Sequence, residues 1–305
     1  DTHGLPCLPG YVECLEQGRM NPEPDLEVRR AAPWACQVDA GNGLGQVAGT
    51  KAMELCLESA RDTGIGCAVV KGSNHFGAAS AYALMALAHD CIGIVTCNAS
   101  KVTAPFGAAE AILGTNPLSV AVPAGKNAPF VIDMATSEGA RKKVKKAEAE
   151  GVSIPAGWAL DERGEPTTDP GAALNGVMLP FGGMKGSAIT LLTEILSGVF
   201  SGAEFGGRVL SVFTNQEQAS GNGNFMLAIR ADTFMPIDRF KARMDEELDK
   251  IMALKPAKGF DKVLYPGFLE HEKQLVRSEK GIPLEKPLVE KMSRLGDNLQ
   301  VSFPG

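Results

Sequence analysis

Apolar residues fall mostly in short runs bounded by glycine, proline and small polar residues over the first 230 positions. That spacing predicts buried strands rather than long helices. Residues 35–39, 67–70, 92–97, 118–122, 129–133, 209–213 and 225–229 read as strands on this basis, and Leu26-Glu27-Val28-Arg29-Arg30 is the one strand-like piece of the first 33 residues. Helical spacing appears over 51–61, where Met53, Cys56, Leu57 and Ala60 share a face, and again over 80–89 and 140–150. It is clearest over 188–200, where Ala188, Leu191, Leu192, Ile195, Leu196 and Val199 follow the i, i+3, i+4 rule, so this stretch predicts a core helix. Only some gaps between strands hold a helix, so a uniformly doubly wound parallel sheet is not indicated. The expected fold is α/β, of the α+β type, with a mixed sheet. Beyond Pro236 the chain is charged and helical over 237–254, then irregular, with Pro256, Pro266, Pro283 and Pro287. Residues 34–235 are therefore expected to form the sheet domain, with 1–33 and 236–305 as a peripheral, wrapping region.

Composition narrows the function more than the fold. A 305-residue chain that is 44% hydrophobic and 22% charged is globular. Its net charge of -6 argues against a nucleic-acid surface or an anionic membrane as partner. The apolar stretch 188–200 is interrupted by Thr190, Thr193 and Glu194 and is too short to span a bilayer. All seven cysteines precede Asn98, in odd number and without a CxxC pair, so they read as reduced thiols of a cytoplasmic protein. Four scattered histidines supply no metal site. The chain opens at Asp1 with no charged-then-apolar leader, which reads as a processed or truncated start.

Five loops carry the candidate chemistry. They are Asp1-Thr2-His3-Gly4, Ser73-Asn74-His75-Phe76-Gly77-Ala78-Ala79, Gly114-Thr115-Asn116-Pro117, Ile132-Asp133-Met134-Ala135-Thr136-Ser137 and Pro180-Phe181-Gly182-Gly183-Met184-Lys185-Gly186. Each places small or polar residues at or near the end of an apolar run, and together they suggest one composite pocket. The turn at 73–79 faces an expected helix start, whose free N–H groups attract phosphate or carboxylate. His3 and His75 are the candidate acid–base groups, because only imidazole titrates near neutral pH without a large shift; His89 and His271 read as structural. Asp133, Thr136 and Ser137 fit a ligand site or a helix cap, Lys185 a phosphate contact or a solvated loop, and Lys142, Lys143, Lys145 and Lys146 a solvated helix face. Gly41, Gly43 and Gly45 are spaced GxGxG, not GxGxxG, so a dinucleotide fingerprint is rejected.

Taken together, the five motifs resemble the malate/L-lactate dehydrogenase family of NAD(P)-dependent oxidoreductases over nearly the whole chain. The resemblance implies a non-Rossmann fold with a largely antiparallel sheet flanked by helices, a smaller helical domain, and a homodimer with active sites near the subunit interface. It implies His3 as proton donor or acceptor with Thr2 as hydroxyl partner, and Lys143 at a matching catalytic position. Thr115, Cys7, Tyr11 and Arg141 would face the substrate, and His75, Phe76, Gly77, Ala78, Asp133, Met134, Ala135, Met184 and Lys185 the cofactor, NAD or NADP. The reaction would pass a hydride between the nicotinamide and a small 2-hydroxy acid of malate or L-lactate type. A cyclic ketimine reductase and a non-catalytic nucleotide-binding paralogue are the alternatives. The chain departs from the family pattern at Cys7, where an arginine is usual, at Lys142, where a glycine is usual, and at Phe268, where an acidic residue is usual. It also begins at the first motif, without the helical segment that usually precedes it.

Overall fold

The protein is described by a computed structural model over residues 3–214 and 218–303. In chain order the helices are α1 (Leu8–Glu16), α2 (Gly45–Thr63), α3 (Ser80–Ala83), α4 (Arg141–Glu150), α5 (Pro170–Asn175), α6 (Met184–Glu194), α7 (Ile237–Met252), α8 (Phe268–Lys280) and α9 (Lys286–Leu299). The strands are β1 (Glu27–Ala32), β2 (Ala35–Asp39), β3 (Ile65–Ser73), β4 (Cys91–Cys97), β5 (Leu118–Val122), β6 (Phe130–Met134), β7 (Ala159–Leu160), β8 (Pro166–Thr167), β9 (Val177–Met178) and β10 (Asn222–Arg230).

Seven strands form one sheet in the order β1-β2-β3-β10-β4-β5-β6, and only β2 and β3 run parallel. A parallel pair needs a crossover, and α2 supplies it. Its buried face of Ala48, Ala52, Met53, Cys56 and Ala60 is fully enclosed against the sheet. Small residues allow the close approach: a Cβ on Gly66 of β3 would sit 1.9 Å from the Cys56 carbonyl oxygen. Gly64, at φ 85°, ends the helix in the left-handed conformation that glycine adopts without strain. The sheet begins at Glu27, with β1 as a largely exposed edge strand.

A second, smaller layer pairs the sheet β8-β7-β9 with α4 and α5 around Val144, Ile154, Ala159, Ala173 and Met178. The turn-rich connection at 154–170 therefore carries short strands of its own. All seven cysteines are free and buried, Cys36, Cys56, Cys91 and Cys97 within the main core. Cys7 and Cys14 sit in a separate cluster with Tyr11, Met20 and Val212. No helix among the described residues is long and apolar enough to cross a membrane.

Four expectations need correction. The stretch expected to be a core helix turns its apolar stripe outward: α6, continuing as a π-helical turn at Ile195–Val199, leaves Leu191, Leu192, Ile195, Val199 and Phe200 between 41% and 62% exposed. It buries instead Ser187, Thr190, Thr193, Glu194 and Ser197, whose polar atoms bond inward, as in the 2.7 Å contact between Thr96 Oγ1 and Ser197 Oγ. Periodicity reports that a face is covered, not which surface covers it. Residues 80–89 are α-helical only through Ala83 and continue as a 3₁₀ turn, Leu84–His89. Residues 209–213 form no strand; Phe213 packs against the candidate site. The region after Pro256 holds α8 and α9, because Pro287 occupies the first turn of α9, where a missing N–H costs nothing.

Candidate active site

Two imidazoles distant in sequence are stacked. The rings of His3 and His75 lie 5.6 Å apart, centroid to centroid, at 12°. His75 is held by its own loop and by α1: Tyr11 Oη lies 2.5 Å from His75 Nδ1, the Gly77 N–H donates to the same nitrogen at 3.3 Å, and Phe213 meets the ring edge-on at 5.3 Å. A backbone N–H can only donate, so Nδ1 is the unprotonated nitrogen and a neutral ring carries its proton on Nε2. Gly77, at φ 84°, brings the loop against the His3 main chain; a Cβ there would stand 3.3 Å from the His3 carbonyl oxygen.

The loop is fixed from behind. Asn74 is buried and donates through Nδ2 to the carbonyl oxygens of Asn42 (3.1 Å) and Gly43 (2.8 Å). Gly45 starts α2 directly under it, since a Cβ there would meet the Asn74 carbonyl oxygen at 2.3 Å. The glycine run rejected as a dinucleotide motif thus serves to seat the histidine loop.

Charge is arranged around the pair. Burial pushes the His75 imidazole down to about 4, and the positive charges of His3 and Lys142 add to the shift. His3 keeps an exposed side, yet desolvation followed by the charge of Lys142 holds it below the usual imidazole value, while Asp133 pulls it the other way. Burial also raises the Tyr11 hydroxyl far above its ordinary range, so it stays protonated. Asp133 occupies the helix start expected to bind an external anion: its carboxylate accepts from the Ser80 N–H (3.2 Å) and from Ser80 Oγ (2.5 Å). The protein's own carboxylate caps that helix.

His3, His75, Tyr11, Gly77 and Asp133 are therefore brought together, and Cys7 lies beneath them, 3% exposed in the Tyr11 cluster. Met134 and Ala135 are exposed where β6 ends, and Ala78 is partly exposed ahead of α3. Phe76 is a core residue, stacked on Tyr82 at 4.8 Å, so only its main chain is available to a ligand. Arg141 points away: its Nη2 donates to the Leu174 carbonyl oxygen at 2.8 Å and ties α4 to α5. Lys143 is exposed on α4, and the Thr115 carbonyl oxygen accepts from Thr136 N at 2.8 Å. Thr2 lies outside the described residues. Met184 and Lys185, both exposed, follow Gly182 and Gly183 in the rim of a cleft of about 530 Å³ that also takes in Phe106, Glu138, Gly157 and Leu160. Neither imidazole lines that cleft, so it does not contain the acid–base pair.

Gln46 and Phe213 escaped the sequence analysis. Gln46 Oε1 is buried beside Tyr11 without a hydrogen-bond partner, an acceptor waiting for a donor. A Gln on the first turn of α2, following a glycine run that bends back on the histidine loop, is the signal that could have found it.

The family model for malate/L-lactate dehydrogenase matches residues 1–293. The L-sulfolactate dehydrogenase of Methanocaldococcus jannaschii is 39% identical over 302 residues, which is 99% of this chain and 86% of that protein. The solved structure of sulfolactate dehydrogenase from that organism superposes with a TM-score of 0.92, again over 99% of this chain and 86% of that one. The malate/(S)-sulfolactate dehydrogenase of Methanothermus fervidus is 38% identical over 303 residues, 99% of this chain and 87% of that protein. The NAD(+) ureidoglycolate dehydrogenase of Escherichia coli K12 is 32% identical over 283 residues, 93% of this chain and 80% of that protein.

Proposed function

The chain belongs to the malate/L-lactate dehydrogenase family, and from that premise we propose that it is an NAD- or NADP-dependent dehydrogenase of a small 2-hydroxy acid, malate or L-lactate in type. The observation that carries the reading is the stacked His3–His75 pair, backed by a protonated Tyr11 hydroxyl and flanked by Asp133. When bound, a nicotinamide cofactor would supply or take up the hydride of the reaction. Its fit rests on two features of this chain. The orphaned Gln46 Oε1 matches an amide N–H donor such as a carboxamide, and the glycine-rich cleft at Gly157, Gly182 and Gly183 has the volume for part of a dinucleotide. Gly77, Ala78, Asp133, Met134, Ala135, Met184 and Lys185 would hold the cofactor in this reading, and Thr115, Tyr11 and Lys143 the substrate end.

The chain's own groups move the proton. In oxidation His3, neutral near pH 7 because its pKa is depressed, accepts the hydroxyl proton; in reduction its protonated form returns one to the carbonyl oxygen. His75, held neutral chiefly by burial and with Nδ1 occupied by Tyr11 and Gly77, serves as an Nε2–H hydrogen-bond donor to the reacting oxygen. Absorbance assays of NADH and NADPH oxidation with oxaloacetate, pyruvate, sulfopyruvate and a cyclic imine test the reading. Turnover of at least one 2-oxo acid is expected. Turnover of the imine alone would make the protein a ketimine reductase, and cofactor binding without any turnover a non-catalytic paralogue.

In the same reading the protein works as a homodimer, joined through the outward stripe of Leu191, Leu192, Ile195, Val199 and Phe200. An apolar face of that size on a helix whose polar side is buried is expected to be covered. Ile195→Asp should weaken association by at least about tenfold, since it places a charge in the apolar contact. Sedimentation of the wild type as a monomer at micromolar concentration would remove this interface.

A further inference from the structure

Besides His3, two rings pack against His75, and they stand at different depths. Tyr11 is 7% exposed, within the cluster of Cys7, Cys14, Met20 and Val212, whereas Phe213 is 49% exposed. The Phe213 ring lies 5.3 Å from His75 and 6.3 Å from Tyr11, centroid to centroid, and the Tyr11 and His75 rings lie 5.8 Å from each other. The three close a triangle with Phe213 as its outer corner. A half-exposed ring on a connecting segment is ordinarily free to move, but this one is held from several sides. Val212 beside it is buried, and its carbonyl oxygen accepts from Arg19 Nη1 at 3.1 Å and from Cys14 Sγ at 3.3 Å. Ser211 Oγ accepts from the Phe213 N–H at 3.2 Å, and the Leu210 N–H donates to the Ser220 carbonyl oxygen at 2.9 Å. On α1, Gly10 leaves the room that the ring occupies, since a Cβ there would stand 3.0 Å from both Phe213 Cδ1 and Cε1.

The triangle encloses the contact between Tyr11 Oη and His75 Nδ1. That nitrogen also accepts from the Gly77 N–H, so it must stay unprotonated for the ring to carry its proton on Nε2. Water admitted here would compete with the Tyr11 hydroxyl for Nδ1 and would stabilise the imidazolium. The charges acting on His75 come from His3 and from Lys142 of α4, and the hydroxyl from Tyr11 of α1. Residues 210–213 bring no charged side chain, so what they contribute is the exclusion of water. Resting on the dehydrogenase reading for the reaction it serves, we propose that Phe213, seated on Gly10, is a positioning residue that walls the Tyr11–His75 hydrogen bond off from water and so keeps His75 an Nε2–H donor.

The test follows the histidines of the full chain, labelled with carbon-13, by NMR through a pH titration, with His75→Gln identifying the His75 signal. In the wild type the His75 ring should titrate near pH 4. Phe213→Ala should raise that value by about one unit or more, toward the ordinary imidazole, and Phe213→Leu, which refills the apolar volume, should return it most of the way. Gly10→Ala keeps the ring but pushes on it, so it should shift the His75 titration in the same direction by less; it also carries the test should Phe213→Ala fail to fold. A ring of merely structural value would lower the melting temperature without moving the titration. For the 2-hydroxy acid that the wild type oxidises, kcat should fall by about tenfold in Phe213→Ala with a smaller change in KM, the loss expected when a hydrogen-bond donor is held less firmly. An unmoved His75 titration in the folded variants, or a moved one with kcat unchanged, overturns the proposal while leaving the dehydrogenase in place. A titration that moves as expected in a protein that turns over no 2-oxo acid supports the wall and overturns the dehydrogenase.

Discussion

Replacing His3 with alanine lowers kcat for oxidation of the 2-hydroxy acid by about 10²- to 10⁴-fold, the usual contribution of a positioned general base. The remaining imidazole does not compensate. His75 has Nδ1 committed to Tyr11 and Gly77, and burial holds its pKa near 4, too low for a strong base. The pH profile supplies the signature. In the wild type, oxidation is fast where His3 is unprotonated, so its rate rises with pH through the His3 pKa, which desolvation and Lys142 place below the ordinary imidazole value, and then levels off. Reduction needs the protonated form and falls over the same interval. Both limbs should vanish in His3→Ala, and added imidazole should restore part of the rate, because His3 keeps an exposed side through which a small base can enter. A His3→Ala enzyme within about fivefold of wild type, with both limbs intact, would transfer the proton role to His75.

The strands of the main sheet were legible in the sequence because each is a short apolar run punctuated by glycine or polar residues: β2, β4, β5 and β6 fall within one residue of where that pattern puts them, and β3 extends two residues before and three beyond. The buried face of α2 was legible, at Met53, Cys56, Leu57 and Ala60, but that of α6 was not. In α6 the hydroxyls of Ser187, Thr190 and Thr193 satisfy their hydrogen bonds locally or across the interior, so a face that reads as polar is the inner one. Proline misled at the C-terminal end, where Pro287 begins a helix instead of ending one. The site was legible only in fragments. Spacing along the chain gives no reason for His3 and His75 to meet, and their common pocket was expected from the recurrence of small, polar loops and from the resemblance of whole motifs. The Asp133–Ser80 cap and the Tyr11–His75 bond span 53 and 64 residues, so neither leaves a local signal. Phe213 looked like the end of a strand because an aromatic in an apolar run carries no mark of the ring it will pack against.

Asn116→Ala is expected to cost roughly 3–5 kcal/mol of stability, from the unpaired buried groups it leaves and the backbone it strains. Asn116 is fully buried in the Gly114-Thr115-Asn116-Pro117 motif, and its role there is to hold a charge. Its Nδ2 donates to Glu194 Oε2 at 2.7 Å and to the Thr190 carbonyl oxygen at 3.3 Å, while its Oδ1 accepts from the Ala99 N–H at 3.0 Å. The other Glu194 oxygen accepts from the Gly206 N–H at 2.9 Å, so alanine at 116 removes one of the carboxylate's two hydrogen-bonded supports in a site 6% exposed. Its φ of 31° adds to the loss, since Asn enters the left-handed region more readily than Ala. Urea unfolding measures the change. Glu194→Leu combined with Asn116→Ala should recover part of it, because removing both partners leaves no carboxylate stranded. A loss below about 1 kcal/mol in the single variant would mean that Glu194 reaches another donor. The consequence for the site runs through the main chain: the Asn116 carbonyl oxygen accepts from Thr136 Oγ1 at 3.1 Å, and Thr136 stands between Asp133 and the start of α4. Slackening that hold loosens the segment that follows Asp133, while His3, carried by another element, keeps its place against His75.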